Sequence, residues 1–357
     1  MTAIEKHAKL ARWLFVGAVL FLSIPTFSLY AGDGDERAQK VLGDIAKFGQ
    51  PGENLPADVA ANAKTLQFLF VKGFGQERYP EYFDKNIEAL EGQGVPADHF
   101  HKFGPDSQDS IHRNSFRVEK EILSLIRSHP DQKLVVVAHS KGAAETLVAI
   151  LRIADRDPDL VKDHVARVAL LNPPLKGTPW ANLLLSHRTP LKMAGASFHD
   201  RVRAQKENLF FRLVQLFKPR LLRGLRSLGV DWASPYMAKQ LARSESARRV
   251  LDPLVITFRS YVPRPEDHRS YGGRYLHRNV GLNDDYLPLD SQAAFGLPGI
   301  EVTMPGFHSH YAQVVPTFPE PNHPEWRGSM LALVSSIPMS GTGTEVAGCA
   351  ELRQLGR

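Results

Sequence analysis

The sequence predicts an α/β protein: a doubly wound, mostly parallel sheet with a helical cap insertion. Three observations predict it. Short apolar runs of strand length alternate with segments of helical apolar spacing between Leu66 and Leu171. Small and polar residues cluster directly after the apolar runs, where a parallel sheet gathers its functional groups. The chain is 357 residues long, 43% hydrophobic and 23% charged, enough to bury one large domain with a cap.

The first 31 residues read as a targeting segment. Lys6, Lys9 and Arg12 precede a nearly uncharged apolar run from Trp13 to Ala31. A basic flank and then an apolar stretch is the layout of an export signal. At about nineteen residues the run is also just long enough to span a bilayer. Pro25 would kink such a helix, and Leu29 sits where a cleavage site prefers a small residue. Residues 1–31 are therefore either a cleaved signal peptide or a retained membrane anchor, and the basic flank favours export of the remaining chain. The expected location is exported: membrane-anchored, periplasmic or secreted. Residues 32–63 are polar, with Gly, Pro and Asp, and read as a linker or lead-in.

The first part of the core covers 64–185. Leu66 to Val71 is a buried-type strand that ends at Lys72-Gly73-Phe74-Gly75. Tyr82 to Leu90 is helical and stops at Gly92-Gln93-Gly94; a short strand comes next, near His99 to Phe103. Phe116, Val118, Ile122, Leu123 and Ile126 have helical apolar spacing. Val135-Val136-Val137-Ala138 then runs into His139-Ser140-Lys141-Gly142, and a helix-compatible segment starts at Ala143. A serine in a tight turn between strand and helix has its hydroxyl pushed out above the sheet. Neighbouring backbone passes close to such a turn, so small residues are needed two before and two after the serine; here they are Ala138 and Gly142. The plain alternative is a strand ending in an ordinary Ser-Gly turn. Val165 to Leu171 is the next strand and ends in Asn172-Pro173-Pro174.

Residues 186–249 form a basic insertion. Leu209, Phe210, Leu213 and Phe217 recur at helical spacing, with Arg201, Arg203, Lys206 and Arg212 among the residues around them, and Pro219 splits or kinks the run. Such a helix packs its apolar face on the core with a solvated basic face, or it lies on an anionic membrane surface. Nucleic acid is not an expected partner, because no reading motif or aromatic platform accompanies the charge. The formal net charge of +6 is modest.

The second part of the core covers 250–337. Gly281-Leu282-Asn283-Asp284-Asp285-Tyr286-Leu287-Pro288 supplies two adjacent carboxylates, and Val302 to Ala312 supplies two histidines, His308 and His310, after a strand and a Pro-Gly turn. Pro316 to Pro324 is a proline-rich loop, Trp326 to Ile337 a last helix, and 338–357 a flexible tail. Cys349 is the one cysteine, which excludes an internal disulfide and a cysteine-based zinc site. No Walker-type loop or His-Glu-x-x-His pattern is present, so no metal or other cofactor is implied.

These residues resemble the α/β-hydrolase superfamily, and within it the bacterial lipase and esterase branch, over roughly Leu66 to Pro174 and Leu254 to Val315. In that family the strand–turn–helix at Ser140 is the nucleophile elbow, with Gly where this chain has Ala138. Lys72-Gly73-Phe74 looks like the family's His-Gly loop, with Lys72 in place of the histidine. The resemblance implies an oxyanion hole from the backbone N–H groups of Phe74 and Lys141. It implies Asp284 as the acid, through the spacing Gly-x-x-Asp-x-x-x-Pro, with Asp285 as its competitor. Ser309-His310-Tyr311-Ala312 resembles a known Asp-His-aromatic-Ala ending and favours His310 as the base; His308 fits a shorter turn and is the alternative. The order Ser, Asp, His is that of the family. The expected activity is hydrolysis of carboxylic esters, of lipid or other acyl type, through an acyl-enzyme. Acyl transfer or thioester cleavage on the same residues, or a non-catalytic binding scaffold, are the alternatives.

Overall fold

A computed structural model of the chain describes residues 30–31, 35–185, 221–243, 245–294, 296–308 and 325–338. Residues 1–29 of the expected targeting segment, 186–220 of the insertion, the 309–324 stretch with His310, and the tail from 339 lie outside the described residues. Among the described residues no helix is long and apolar enough to cross a membrane.

The strands are β1 (Tyr30–Ala31), β2 (Gln67–Val71), β3 (Phe100–Phe103), β4 (Leu134–His139), β5 (Val165–Leu171), β6 (Val255–Tyr261) and β7 (Ile300–Pro305). They lie in the order β1-β7-β6-β5-β4-β2-β3. All neighbours from β7 to β3 are parallel, and β1 adds antiparallel to β7 with Tyr30 opposite Thr303. The expected doubly wound sheet is thus present. Every residue of β4 is buried, which explains its unbroken Val-Val-Val-Ala run: a strand covered on both faces has no side on which a polar residue could meet water.

The helices are α1 (Glu36–Phe48), α2 (Ala57–Ala63), α3 (Asp84–Glu91), α4 (Ile111–Ser128), α5 (Lys141–Arg156) and α6 (Pro158–His164), then α7 (Pro179–Leu185), α8 (Leu221–Arg226), α9 (Val230–Arg243), α10 (Glu245–Leu251), α11 (Tyr271–Asn279) and α12 (Glu325–Ser335). They cover both faces. On one face Phe68, Phe70, Val135, Val137, Phe258 and Val302 pack beneath α1 and α12. On the other, Leu69, Val71, Val136 and Ala138 pack beneath α4 and α5. The alternation within β2 and β4 sends neighbouring residues to opposite cores.

Residues 32–63, expected to be a linker, contain α1 and α2 instead. Asp35 caps α1 by accepting from the Arg37 N–H, and Val41, Leu42, Ile45 and Phe48 form one buried stripe. α1 is clamped to α12: the Arg327 guanidinium binds the carbonyls of Phe48 and Glu53, and a side chain at Gly328 would run into the Ile45 carbonyl. In α4 the expected stripe is buried at Val118, Ile122 and Ile126, whereas Phe116 is half exposed and carries the Arg152 guanidinium 3.9 Å from its ring centre. The described part of the basic insertion consists of packed helices. Ala233, Met237, Leu241 and Ala247 are buried, most of them in the core that α5 shares.

Candidate active site

The site is built where β4 passes into α5. Ser140 has φ 54° and ψ −129°, a left-handed conformation that a residue with a Cβ rarely adopts. It is held there by its N–H to the Leu171 carbonyl (2.8 Å) and by its own carbonyl accepting from Ala143 (2.9 Å). The small neighbours are a steric requirement. A Cβ on Gly142 would collide with the Lys72 carbonyl, and one on Gly73 would lie 2.9 Å from the Ser140 Cβ. Ala138 sits in the ladder between Val71 and Leu170, fully buried.

His308, just past β7, reaches Ser140: its Nε2 lies 2.9 Å from the Ser140 Oγ. Its Nδ1 lies 2.8 Å from Asp284 Oδ2. Among the described residues the histidine that meets the serine is the shorter-turn alternative, His308; His310, favoured by the local motif, lies outside the described residues. Asp284 is fully buried. Its Oδ1 accepts the N–H groups of Tyr286 (3.0 Å) and Leu287 (2.7 Å), its Oδ2 accepts from Asn172 Nδ2 (3.2 Å), and its carbonyl accepts the His308 N–H (2.9 Å). With Oδ1 so held, Oδ2 is aimed at the imidazole and fixes Nδ1 as the protonated nitrogen.

Asp285, the competing carboxylate, turns the other way. Its Oδ1 lies 2.8 Å from His268 Nδ1, its Oδ2 accepts the Arg269 N–H, and His268 Nε2 lies 3.1 Å from His277 Nδ1. The left-handed backbone of Asp285 (φ 86°) makes the divergence possible: consecutive carboxylates serve two different histidines.

Lys141 follows the serine directly, and Phe74 follows Gly73, which lies against the Ser140 Cβ. Among the described residues their backbone N–H groups have no hydrogen-bond partner, while the adjacent Gly73 and Gly75 N–H groups are taken by Tyr82 and Ser107. The Lys141 side chain is buried and paired with the equally buried Glu145, which also accepts from Asn114 (2.8 Å). Burial pushes the Glu145 carboxyl up, against the opposing pull of that ammonium. Burial lowers the Lys72 ammonium, helped by neighbouring Lys102.

Three residues of the site are not marked by any motif in the sequence. Asn172 sits at the end of β5 with φ 47° and its amide between Ser260, Asp284 and Gln292. Tyr82 and His139 are both buried, with the Tyr82 Oη 2.5 Å from His139 Nδ1. The Tyr82 Oη accepts the Gly73 N–H (3.1 Å), and His139 Nε2 lies 2.8 Å from the His308 carbonyl. The position of His139 directly before the serine is the available clue. Nothing in the sequence ties Tyr82 to it. Among the described residues no group of three or more His, Cys, Asp or Glu side chains is placed to hold a metal.

No protein-family model and no curated protein matches this sequence. Solved structures do match. A metagenomic carboxyl esterase, MGS0156, aligns over 84% of this chain and 90% of its own with TM-score 0.55 at 15% identity. The mature lipase BlEst2 of Bacillus licheniformis aligns over 73% of this chain and 89% of its own, with TM-score 0.45 at 15% identity. The phospholipase PlaB of Legionella pneumophila aligns over 64% and 46% of the two chains, with TM-score 0.40 at 12% identity. The first likeness and the strand order together establish the α/β-hydrolase fold.

Proposed function

We propose that this chain of α/β-hydrolase fold is a serine hydrolase that cleaves carboxylic esters, with Ser140 as nucleophile, His308 as general base and Asp284 as its orienting acid. The observation that carries the reading is the unbroken line from Ser140 Oγ through His308 to Asp284, with both spacings under 3 Å. The line sits beside two unengaged backbone N–H groups.

The chemistry is set by those positions. His308 Nε2 takes the Ser140 proton as Oγ attacks the acyl carbonyl carbon. The carbonyl oxygen gains the negative charge and is received by the N–H groups of Phe74 and Lys141. Asp284 stabilises the imidazolium that forms. The tetrahedral intermediate expels the alcohol, which takes the proton from His308. Water, deprotonated by the same imidazole, then attacks the acyl carbon; the bond to Oγ breaks, Oγ takes the proton back from His308, and the acid leaves. The carboxyl esterase whose fold this chain shares fits this class without naming the substrate.

The test is Ser140→Ala, assayed on p-nitrophenyl esters and by fluorophosphonate labelling. Hydrolysis and labelling are expected to disappear while the protein stays folded; hydrolysis at the wild-type rate would overturn the reading. His308→Ala is expected to be as inactive as Ser140→Ala, and wild-type activity in it would return the base role to His310. In the same reading the chain is exported, with residues 1–31 as signal or anchor, and its basic insertion meets an anionic membrane surface. Cell fractionation tests the first, with the active protein expected outside the cytoplasm. Flotation with anionic vesicles tests the second, and salt-insensitive absence of binding would remove it.

A further inference from the structure

We infer that Tyr82 and His139 are positioning residues: one buried hydrogen-bond chain through them ties the oxyanion loop, the nucleophile elbow and the base loop into a fixed register. The inference rests on the serine-hydrolase reading of Ser140, His308 and Asp284.

The chain has a single direction. His139 Nε2 lies 2.8 Å from the His308 carbonyl oxygen, which only accepts, so Nε2 carries the hydrogen. In the neutral imidazole Nδ1 is then an acceptor, and the Tyr82 hydroxyl 2.5 Å away donates to it. The phenol oxygen in turn accepts the Gly73 N–H at 3.1 Å. Three links run from the Gly73 backbone to the His308 backbone, and each donor has its own acceptor. Both side chains are 1% exposed, so water cannot substitute for a missing link. Burial and the nearby His308 hold the His139 imidazole well below the ordinary histidine range, and burial pushes the Tyr82 phenol up. Both groups therefore stay neutral at working pH, and the chain keeps its direction.

The ends of the chain matter for catalysis. Gly73 precedes Phe74, whose N–H is the candidate oxyanion donor, and lies against the Ser140 Cβ. His308 is the base, and its carbonyl is held by the residue that precedes the nucleophile. β2 and β4 are already paired strands, with Val71 opposite Ala138, and the chain of hydrogen bonds adds a tie from the loops after them to the loop after β7. An oxyanion donor works only within about 2.7–3.1 Å of the charged oxygen, and a displacement of about 1 Å costs on the order of a hundredfold in rate. Breaking the chain should therefore weaken transition-state binding and leave ground-state ester binding alone.

The test uses the full chain with Tyr82→Phe, His139→Gln and His139→Asn, alongside Ser140→Ala. Gln can place an amide N–H near the Nε2 position and keep the His308 link; Asn can place an amide oxygen near Nδ1 and keep the Tyr82 link. Tyr82→Phe is expected to lower kcat about 10- to 100-fold with KM within about twofold, and to weaken a trifluoromethyl ketone inhibitor by a similar factor. His139→Asn is expected to shift the acidic limb of the pH–rate profile, because the base loop has lost its donor; His139→Gln is expected to leave that limb in place. Circular dichroism and thermal unfolding report whether each variant is folded, and the His139 pair carries the test if Tyr82→Phe is not. Folded variants with wild-type kcat, inhibitor affinity and pH profile would overturn the inference while an inactive Ser140→Ala left the triad standing. Wild-type activity in Ser140→Ala would instead remove the reading on which it rests.

Discussion

At Ser140 the backbone is in a conformation that costs about 1–3 kcal/mol for a residue with a side chain. The surrounding structure meets that cost through the Leu171 and Ala143 hydrogen bonds and the packing of Gly73 and Gly142. Ser140→Gly should therefore be more stable than Ser140→Ala, by about 1 kcal/mol in urea unfolding, although the proposed nucleophile role makes both expected to be inactive. Gly142→Ala should lose about 2–3 kcal/mol or more, because the new methyl meets a backbone carbonyl that cannot move aside. Asp284→Asn should lower kcat about 10³- to 10⁴-fold at near-constant KM in ester hydrolysis, since an amide cannot stabilise the imidazolium. The serine and the two glycines are legible in the sequence because the sterics of the turn dictate them. The histidine is not. The sequence offers His308 and His310 two positions apart, and only the path of the backbone from Pro305 to His308 brings the His308 ring to Ser140.

The acid loop, residues 281–288, shows how an element holds one side chain still. Asp284 faces the active site while Asp285 is anchored to His268, and the Asn283 amide binds the Gly273 and Gly281 carbonyls. Removing the anchor with His268→Ala leaves a buried carboxylate short of a partner. It should destabilise the chain by about 2–3 kcal/mol, read by chemical denaturation, and loosen Asp284 enough to lower kcat. The same logic applies at the start of α5. Glu145→Ala strands the buried Lys141 ammonium and should cost about 3–5 kcal/mol, whereas Lys141→Met with Glu145→Gln should cost far less. Strands are the legible elements, because a parallel sheet covered on both faces demands unbroken apolar runs such as that of β4. α1 is hidden because its Gly43 and the Asp, Gly and Pro around it read as loop. Its buried stripe of Val41, Leu42, Ile45 and Phe48 is plain only once α12 is beside it.

Over the whole molecule, stability should fall on acidification. His139 is held neutral by burial, and His101 and His277 are also lowered, each chiefly by desolvation. A histidine lowered in the folded state contributes stability that is fully present above its unfolded value, about 6.5, and is lost as pH falls through its folded value. Urea midpoints measured between about pH 7.5 and 5 should drop, with His139→Gln showing a shallower slope. His139 governs this, since the other two are only partly buried.

The clamp between α1 and α12 has a consequence in time. Arg327 and Phe48 are 279 positions apart, so one face of the sheet is roofed by the beginning and the end of the chain. During synthesis the elbow side can be covered once α10 has emerged, but on the other side Phe68, Phe258 and Val302 have only part of their cover, from α1, until α12 is made. Until then the nascent chain presents a half-covered sheet, an invitation to chaperones and to its own neighbours. A chain stopped before residue 325 should therefore accumulate in aggregates or on holdases rather than as a smaller soluble domain.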